Sequence, residues 1–120
     1  MARILIIDDE VQIRAMLRQV LECSGYHVSD APDGKVGMKL HRKKPADLII
    51  TDIIMPKMGG GEAYDRMKEI NPNVKVLLSS GYSIDGPARE ILKRGCDAFI
   101  EKPFSMKELS QAIREVLGKE

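Results

Sequence analysis

The chain alternates between short aliphatic runs and longer segments in which apolar residues recur every three or four positions. The short runs predict buried strands, and the longer segments predict amphipathic helices. In the first helical segment, Ile13, Leu17, Val20 and Leu21 share one face, and Gly25 follows the predicted end. The predicted strands are 3–7, 26–29, 48–51, 74–78 and 98–100, and the predicted helices after the first are about 34–44, 62–70, 87–94 and 106–117.

A strand followed by a helix, five times in succession, predicts an α/β fold. Consecutive parallel strands need crossover connections, so we expect a parallel sheet with helices on both faces. In such sheets, functional sites form outside the carboxyl ends of the strands.

Polar side chains follow several of the predicted strands. Asp8 and Asp9 follow the first strand, Asp52 the third, Ser80 lies at the end of the fourth, and Lys102 follows the fifth. Each has an ordinary structural explanation taken singly; Asp9, for example, could cap the first helix. Five such placements at one sheet edge favour a site.

Three carboxylates at one place repel each other unless a cation lies among them. Mg²⁺ prefers oxygen ligands and is often held by a few carboxylates together with a phosphate. Lys102 adds a second positive charge. The set therefore indicates a metal-assisted anion site, and a carboxylate that accepts a phosphoryl group is an established nucleophile.

Composition excludes several other classes of protein. The chain has 120 residues, 43% hydrophobic and 31% charged, with a net charge of +1. We expect one domain, 1–120, in the cytoplasm, with no signal peptide, no membrane span and no direct contact with nucleic acid. The basic run 41–44 before Pro45 predicts the cationic last turn of a helix. Cys23 and Cys96 are expected to be buried, reduced thiols. Met16, Met67 and Met106 lie at apolar helical positions and are expected to fill the core.

Four motifs carry a resemblance to a known family. They are LIIDDE at 5–10, DLIITDIIMPKMGG at 47–60, VLLSSGY at 76–82 and FIEKPF at 99–104. In order and spacing they resemble the response-regulator receiver domain, the phospho-acceptor of bacterial two-component signalling. The resemblance covers about 2–118. It implies a flavodoxin-like (βα)5 fold with strand order 2-1-3-4-5.

The resemblance also implies a role for individual residues. Asp52 resembles the phosphorylated aspartate. Asp8 and Asp9 resemble the pair that binds Mg²⁺ (or Mn²⁺), with Asp52 and the backbone carbonyl of Ile54 as further ligands. Lys102 resembles the lysine that pairs with the acceptor and then with the phosphoryl oxygens.

Two further residues resemble the family's conformational switch. Ser80 resembles the switch hydroxyl; Ser79 is a rival, but Gly81 supplies the small residue that usually follows the switch. Phe99 stands where an aromatic side chain, often Tyr, rotates inward and changes the surface of the fourth helix, fifth strand and fifth helix.

The expected partners are a histidine kinase or a histidine phosphotransfer domain, and a downstream effector. The protein is expected to be a monomer or weak dimer, and a signalling acceptor rather than an enzyme. The peptide bond before Pro103 is cis in many members of the family, and sequence does not decide it here.

This sequence departs from the family at a few positions. Gly59 stands where Asp or Asn is common, which we expect to loosen the start of the third helix. Ile54 and Tyr82 occupy positions that tune the lifetime of the phosphoryl group, and neither is suited to orient an attacking water. The sequence therefore predicts slow autodephosphorylation.

Three alternatives remain open. A phosphatase with an aspartyl nucleophile often has D-x-D on one strand and a cap domain, whereas the acids here lie on different strands. A receiver that only docks other proteins would not need the full set of acids, hydroxyl and lysine. A flavodoxin-like FMN protein would share the topology, but no convincing phosphate loop is present.

Overall fold

The structure is a computed structural model that describes residues 2–52, 60–80, 98–101 and 105–118, with the backbone alone at 52, 60–64, 80 and 101. The elements are β1 (Arg3–Ile7), α1 (Val11–Cys23), β2 (His27–Ala31), α2 (Gly34–Lys43), β3 (Leu48–Asp52), α3 (Gly60–Ile70), β4 (Lys75–Ser80), β5 (Ala98–Glu101) and α4 (Met106–Leu117).

The five strands form one parallel sheet in the order β2-β1-β3-β4-β5. This confirms the predicted fold class and strand order. The predicted strands and helices within the described ranges are all present, with ends displaced by no more than two residues. The predicted helix at 87–94 lies outside the described residues.

The core consists of two apolar layers, one on each face of the sheet. Along β1, Leu5 and Ile7 belong to the layer that also holds Met38 of α2 and Met67 of α3. Ile4 and Ile6 belong to the opposite layer, which holds residues of α1 and α4. Since successive side chains of a strand point to opposite faces, a strand covered on both sides has to be continuously apolar.

Two helix ends follow their sequence signals. The Asp33 carboxylate accepts a hydrogen bond from the Val36 amide at 2.9 Å and caps α2. The last turn of α2 carries the predicted basic residues, and the helix ends at Lys43, ahead of Pro45. Within that turn His41 is fully buried, whereas Arg42 and Lys43 are exposed.

Two predicted core residues of α1 are exposed instead. Met16, expected to fill the core, is 42% exposed, and Cys23, expected to be buried, is exposed and unpaired. Leu17 and Leu21 are the buried residues of this helix. With about 100° of rotation per residue, Met16 and Cys23 lie only about 20° apart around the helix, both on the side away from Leu17 and Leu21. Met67 and Met106 do contribute to the core layers, and Cys96 lies outside the described residues.

Within the described part of the chain, no helix combines the length and apolar character needed to cross a membrane.

Candidate functional site

The strand register brings the predicted site positions to one edge of the sheet. Ile7 of β1 pairs with Thr51 of β3, so the next residues, Asp8 and Asp52, lie at the ends of neighbouring strands. Asp52 in turn pairs with Ser79 of β4. The parallel arrangement thus gathers these positions at the carboxyl edge, as the sequence predicted.

Ser80 belongs to the same edge of the sheet. Ser80 pairs with Glu101, the last residue of β5, and Lys102 follows directly in sequence. The structure describes Ser79 as buried. The side chain of Ser80 is not among those described, so the choice of Ser80 over Ser79 stays a prediction.

A cluster of carboxylates lies in the turn between β1 and α1. Asp8, Asp9 and Glu10 each offer an oxygen, and these oxygens lie within 4.8 Å of one another. Asp8 is 2% exposed, whereas Asp9 and Glu10 face solvent. Glu10 was not among the predicted site residues, although its position directly after the acid pair was the available signal.

The turn around Asp8 is fixed by its own hydrogen bonds. The Asp8 amide donates to the Ala31 carbonyl at 3.1 Å, which extends the pairing of β1 with β2. The Glu10 amide donates to Asp8 Oδ1 at 2.8 Å, a side-chain turn typical of Asp. The N-cap residue of α1 is Glu10, whose side chain makes no capping hydrogen bond. Helix capping therefore does not explain Asp9.

The guanidinium group of Arg14 in α1 links this turn to β2 by hydrogen bonds. Arg14 Nη1 donates to the Asp8 carbonyl at 2.7 Å, and Arg14 Nε donates to Asp30 Oδ2 at 3.1 Å. Arg18 Nη1 donates to the other oxygen of Asp30 at 2.7 Å, and Arg18 Nε bonds Glu22 at 3.1 Å. These contacts raise the pKa of the Arg18 guanidinium, chiefly through its hydrogen bond to Glu22.

Arg14 and Asp30 were not among the residues predicted from the sequence to form the site. The available signals were the spacing of four between Arg14 and Arg18, which places both on one side of a helix, and an acid just past a predicted strand.

The remaining predicted site residues divide into two groups. Phe99 is half-buried and packs against the layer that contains Leu78 and Val76. Ile54 and Lys102 lie outside the described residues, as do Gly59, Tyr82 and Pro103, and for Asp52 the structure describes the backbone only.

The donor set fits a hard divalent cation. Carboxylate oxygens are the ligands that Mg²⁺ takes in proteins, and it commonly keeps several waters beside one or two carboxylates. The described part of the site supplies oxygens from Asp8 and Asp9, one residue nearly buried and one exposed. A fully closed cage of protein ligands is not required for such an ion.

A doubly wound parallel sheet with clustered carboxylates at its carboxyl edge defines a flavodoxin-like domain whose acidic turn could hold a metal ion. The family model described as the response regulator receiver domain matches residues 4–114. The chain belongs to this family. Receiver domains are signalling proteins, and this one is homologous to the phospho-acceptors of two-component signalling.

Individual relatives agree with this assignment. The chemotaxis protein CheY of Thermotoga maritima is 31% identical over 115 residues, which cover 95% of this chain and 96% of that protein. A CheY-like receiver domain structure from Methanospirillum hungatei has a TM-score of 0.93 at 31% identity and covers 98% of this chain and 94% of that one.

A second solved structure was determined as a complex with ligands. The response regulator TrrA of Thermotoga maritima, in complex with Mg²⁺–BeF, has a TM-score of 0.85 at 29% identity and covers 97% of this chain and 99% of that one. Other relatives are longer: the chain spans 45 to 49% of several matched transcriptional regulators.

Proposed function

We propose that this receiver domain takes a phosphoryl group onto Asp52 from a phosphohistidine of a histidine kinase or a phosphotransfer protein. The observation that carries the proposal is the register that sets Asp52 at the end of β3, beside the strand that leads into the buried Asp8 and exposed Asp9. A nucleophilic carboxylate at the rim of an acidic cluster can react only where the surrounding negative charge is neutralised.

We propose that Asp8 and Asp9, with Asp52 and the backbone carbonyl of Ile54, hold Mg²⁺, or Mn²⁺ as an alternative ion. When bound, the ion offsets the charges of the carboxylates and of the phosphoryl oxygens. The fixed turn around Asp8 keeps two donors in place before the ion arrives, so less ordering is left for the binding step.

In this mechanism an Asp52 carboxylate oxygen attacks phosphorus in line with the histidine nitrogen. The O–P bond forms, the P–N bond breaks, and the imidazole leaves. Lys102 pairs with the carboxylate before transfer and with the phosphoryl oxygens afterwards. Because the receiver supplies most of the groups that stabilise the transition state, small donors such as acetyl phosphate are expected to react as well.

The aspartyl phosphate then draws in the hydroxyl of Ser80, and Phe99 moves into the space that this leaves. Phe99 is only half-buried and packs at the margin of a core layer, which is consistent with a side chain that can change position. This movement changes the surface formed by β4, β5, the segment between these two strands and the final helix. A downstream effector recognises the changed surface.

We propose slow loss of the phosphoryl group. Neither Ile54 nor Tyr82 carries an acid or amide that could orient a water for attack on phosphorus. The decay of the acyl phosphate in the presence of Mg²⁺ tests this directly, and a half-life of seconds would contradict it.

Three broader expectations accompany the mechanism. The segment 1–120 is a single receiver domain, it acts in the cytoplasm, and it is a monomer or a weak dimer. Its chemistry is limited to assisting its own phosphorylation and dephosphorylation. Turnover of an added phosphomonoester would instead favour a phosphatase.

The acceptor assignment is tested with a phosphodonor and Mg²⁺. Asp52→Asn is expected to abolish labelling. Asp47→Asn is the matched control, because Asp47 is an exposed acid just before β3, at the opposite end from Asp52, and bonds the Arg3 amide at 2.8 Å. Equal labelling of Asp52→Asn and the parent protein would refute the assignment.

A further inference from the structure

The Arg14 side chain joins three elements beside the acidic turn. It extends from α1, donates to the Asp8 carbonyl at 2.7 Å in the turn after β1, and donates to the Asp30 carboxylate at 3.1 Å in β2. Its side chain is only 14% exposed. A planar guanidinium can serve two acceptors at once in a fixed geometry, which a lysine ammonium on a flexible stem does not reproduce.

The main chain of Asp8 is consequently held on both sides. Its amide donates to Ala31 and its carbonyl accepts from Arg14. Because the peptide units on both sides of the Asp8 Cα are each held by a hydrogen bond, the Cα–Cβ bond is kept in one direction, so the carboxylate is directed by the backbone as well as by the Glu10 amide.

We infer that Arg14 is a positioning residue for the metal-binding acid pair: through the Asp8 carbonyl and Asp30 it fixes the turn that presents Asp8 and Asp9. The inference rests on the proposed function in one respect, namely that this pair holds Mg²⁺. Arg14 itself donates hydrogen bonds and binds no cation.

The positive charge of Arg14 and its positioning contacts predict opposite changes in Mg²⁺ affinity when Arg14 is replaced. A positive charge near a cation site weakens binding by Coulomb repulsion, so its removal alone would tighten Mg²⁺ binding. Loss of a positioning contact would weaken it, and outer contacts of metal ligands typically change affinity by roughly 10- to 100-fold. Arg14 contacts the backbone of Asp8 and not its carboxylate. We therefore expect a loss of Mg²⁺ affinity at the lower end of that range, about tenfold.

The experiment is a Mg²⁺ titration of the full chain, without phosphodonor, followed by the backbone amide NMR signals of the acidic turn. The variants are Arg14→Lys, which keeps the charge, and Arg14→Gln, which removes it. Arg18→Gln is the matched control, since Arg18 lies one turn further along α1 and bonds Asp30 and Glu22. Both Arg14 variants are expected to bind about tenfold more weakly, and the Arg18 variant within about twofold of the parent.

A second readout needs no metal. Hydrogen exchange of the Glu10 amide, which donates to Asp8 Oδ1, is expected to quicken in both Arg14 variants while amides of the central strands keep their rates. Quickened exchange throughout the sheet would mean a general loss of stability and would overturn the positioning role.

The inference is also overturned if Arg14→Gln binds Mg²⁺ as tightly as the parent or more tightly, if Arg18→Gln weakens binding as much, or if the parent protein binds no Mg²⁺. Failure of the acceptor assignment is distinguishable, because it appears as a phosphoryl label away from Asp52 while the order of Mg²⁺ affinities is unchanged.

Discussion

His41 provides a quantitative prediction because it is a fully buried histidine with both ring nitrogens engaged. Nδ1 accepts a hydrogen bond from the Ala46 amide at 3.0 Å, which leaves Nε2 as the protonated nitrogen, 3.3 Å from the Met67 carbonyl. The ring therefore joins α2, the start of β3 and α3 in its neutral form. Burial lowers the pKa of His41 from its ordinary value of 6.5.

The sign of the pH effect follows from which state binds the proton. Below about pH 6.5 the unfolded chain takes up a proton on this histidine while the folded chain does not, so the free energy of unfolding falls as pH falls. Between about pH 7.5 and pH 5.5 the loss reaches up to ~1.4 kcal/mol if folded His41 stays neutral over that range. This pH dependence of the unfolding free energy disappears well above the pKa of the histidine in the unfolded chain.

The measurement is urea unfolding followed by circular dichroism at the two pH values. His41→Asn keeps an acceptor for the Ala46 amide but cannot take up a proton, so its unfolding free energy is expected to lack most of this pH dependence. His27→Asn is the control, because His27 is the other histidine and is exposed. Equal pH dependence in the parent protein and in His41→Asn would refute the reasoning.

Three further substitutions test the packing. Gly37→Ala would place a Cβ 2.5 Å from Ile7 Cδ1 and 2.8 Å from Ile7 Cγ1. We expect the free energy of unfolding in denaturant to fall by about 1 kcal/mol, because overpacking outweighs the gain in helix propensity. A more stable variant would contradict this. Ser105→Ala removes the Oγ that accepts the hydrogen bond of the Glu108 amide at 3.1 Å, and a loss of about 1 kcal/mol is expected, whereas an unchanged midpoint would refute the cap. Met16→Lys is expected to change stability by less than about 0.5 kcal/mol, and a large loss would mean that Met16 is buried after all.

Sequence patterns were sufficient for the architecture because the relevant information is local and periodic. The continuous apolar runs of β1 and β3 require cover on both faces, and the alternation with helices requires parallel strands. The collection of Asp8, Asp9 and Asp52 at one edge follows from that topology. The strand order came from the family resemblance rather than from periodicity.

Features that depend on contacts between elements could not be predicted. The rotation of α1 about its axis, which exposes Met16 and Cys23, is set by how Leu17 and Leu21 pack on the sheet. His41 lies in a basic run, and only the fold reveals that its ring faces α3.

The contact of Arg14 with Asp30 was missed for the same reason. It joins residues 16 positions apart on different elements, so no local pattern reports it. The roles of Asp52, Ser80, Lys102 and Ile54 remain predictions from the resemblance.

The central claim is that Asp52 is the acceptor. The most direct measurement is to treat the protein with acetyl phosphate and Mg²⁺, reduce the product with borohydride, and locate the modified peptide by mass spectrometry. Reduction converts an aspartyl phosphate to homoserine, so the account predicts homoserine at position 52 and unmodified aspartate at positions 8 and 9. Homoserine at either of those positions, with position 52 unmodified, would contradict it.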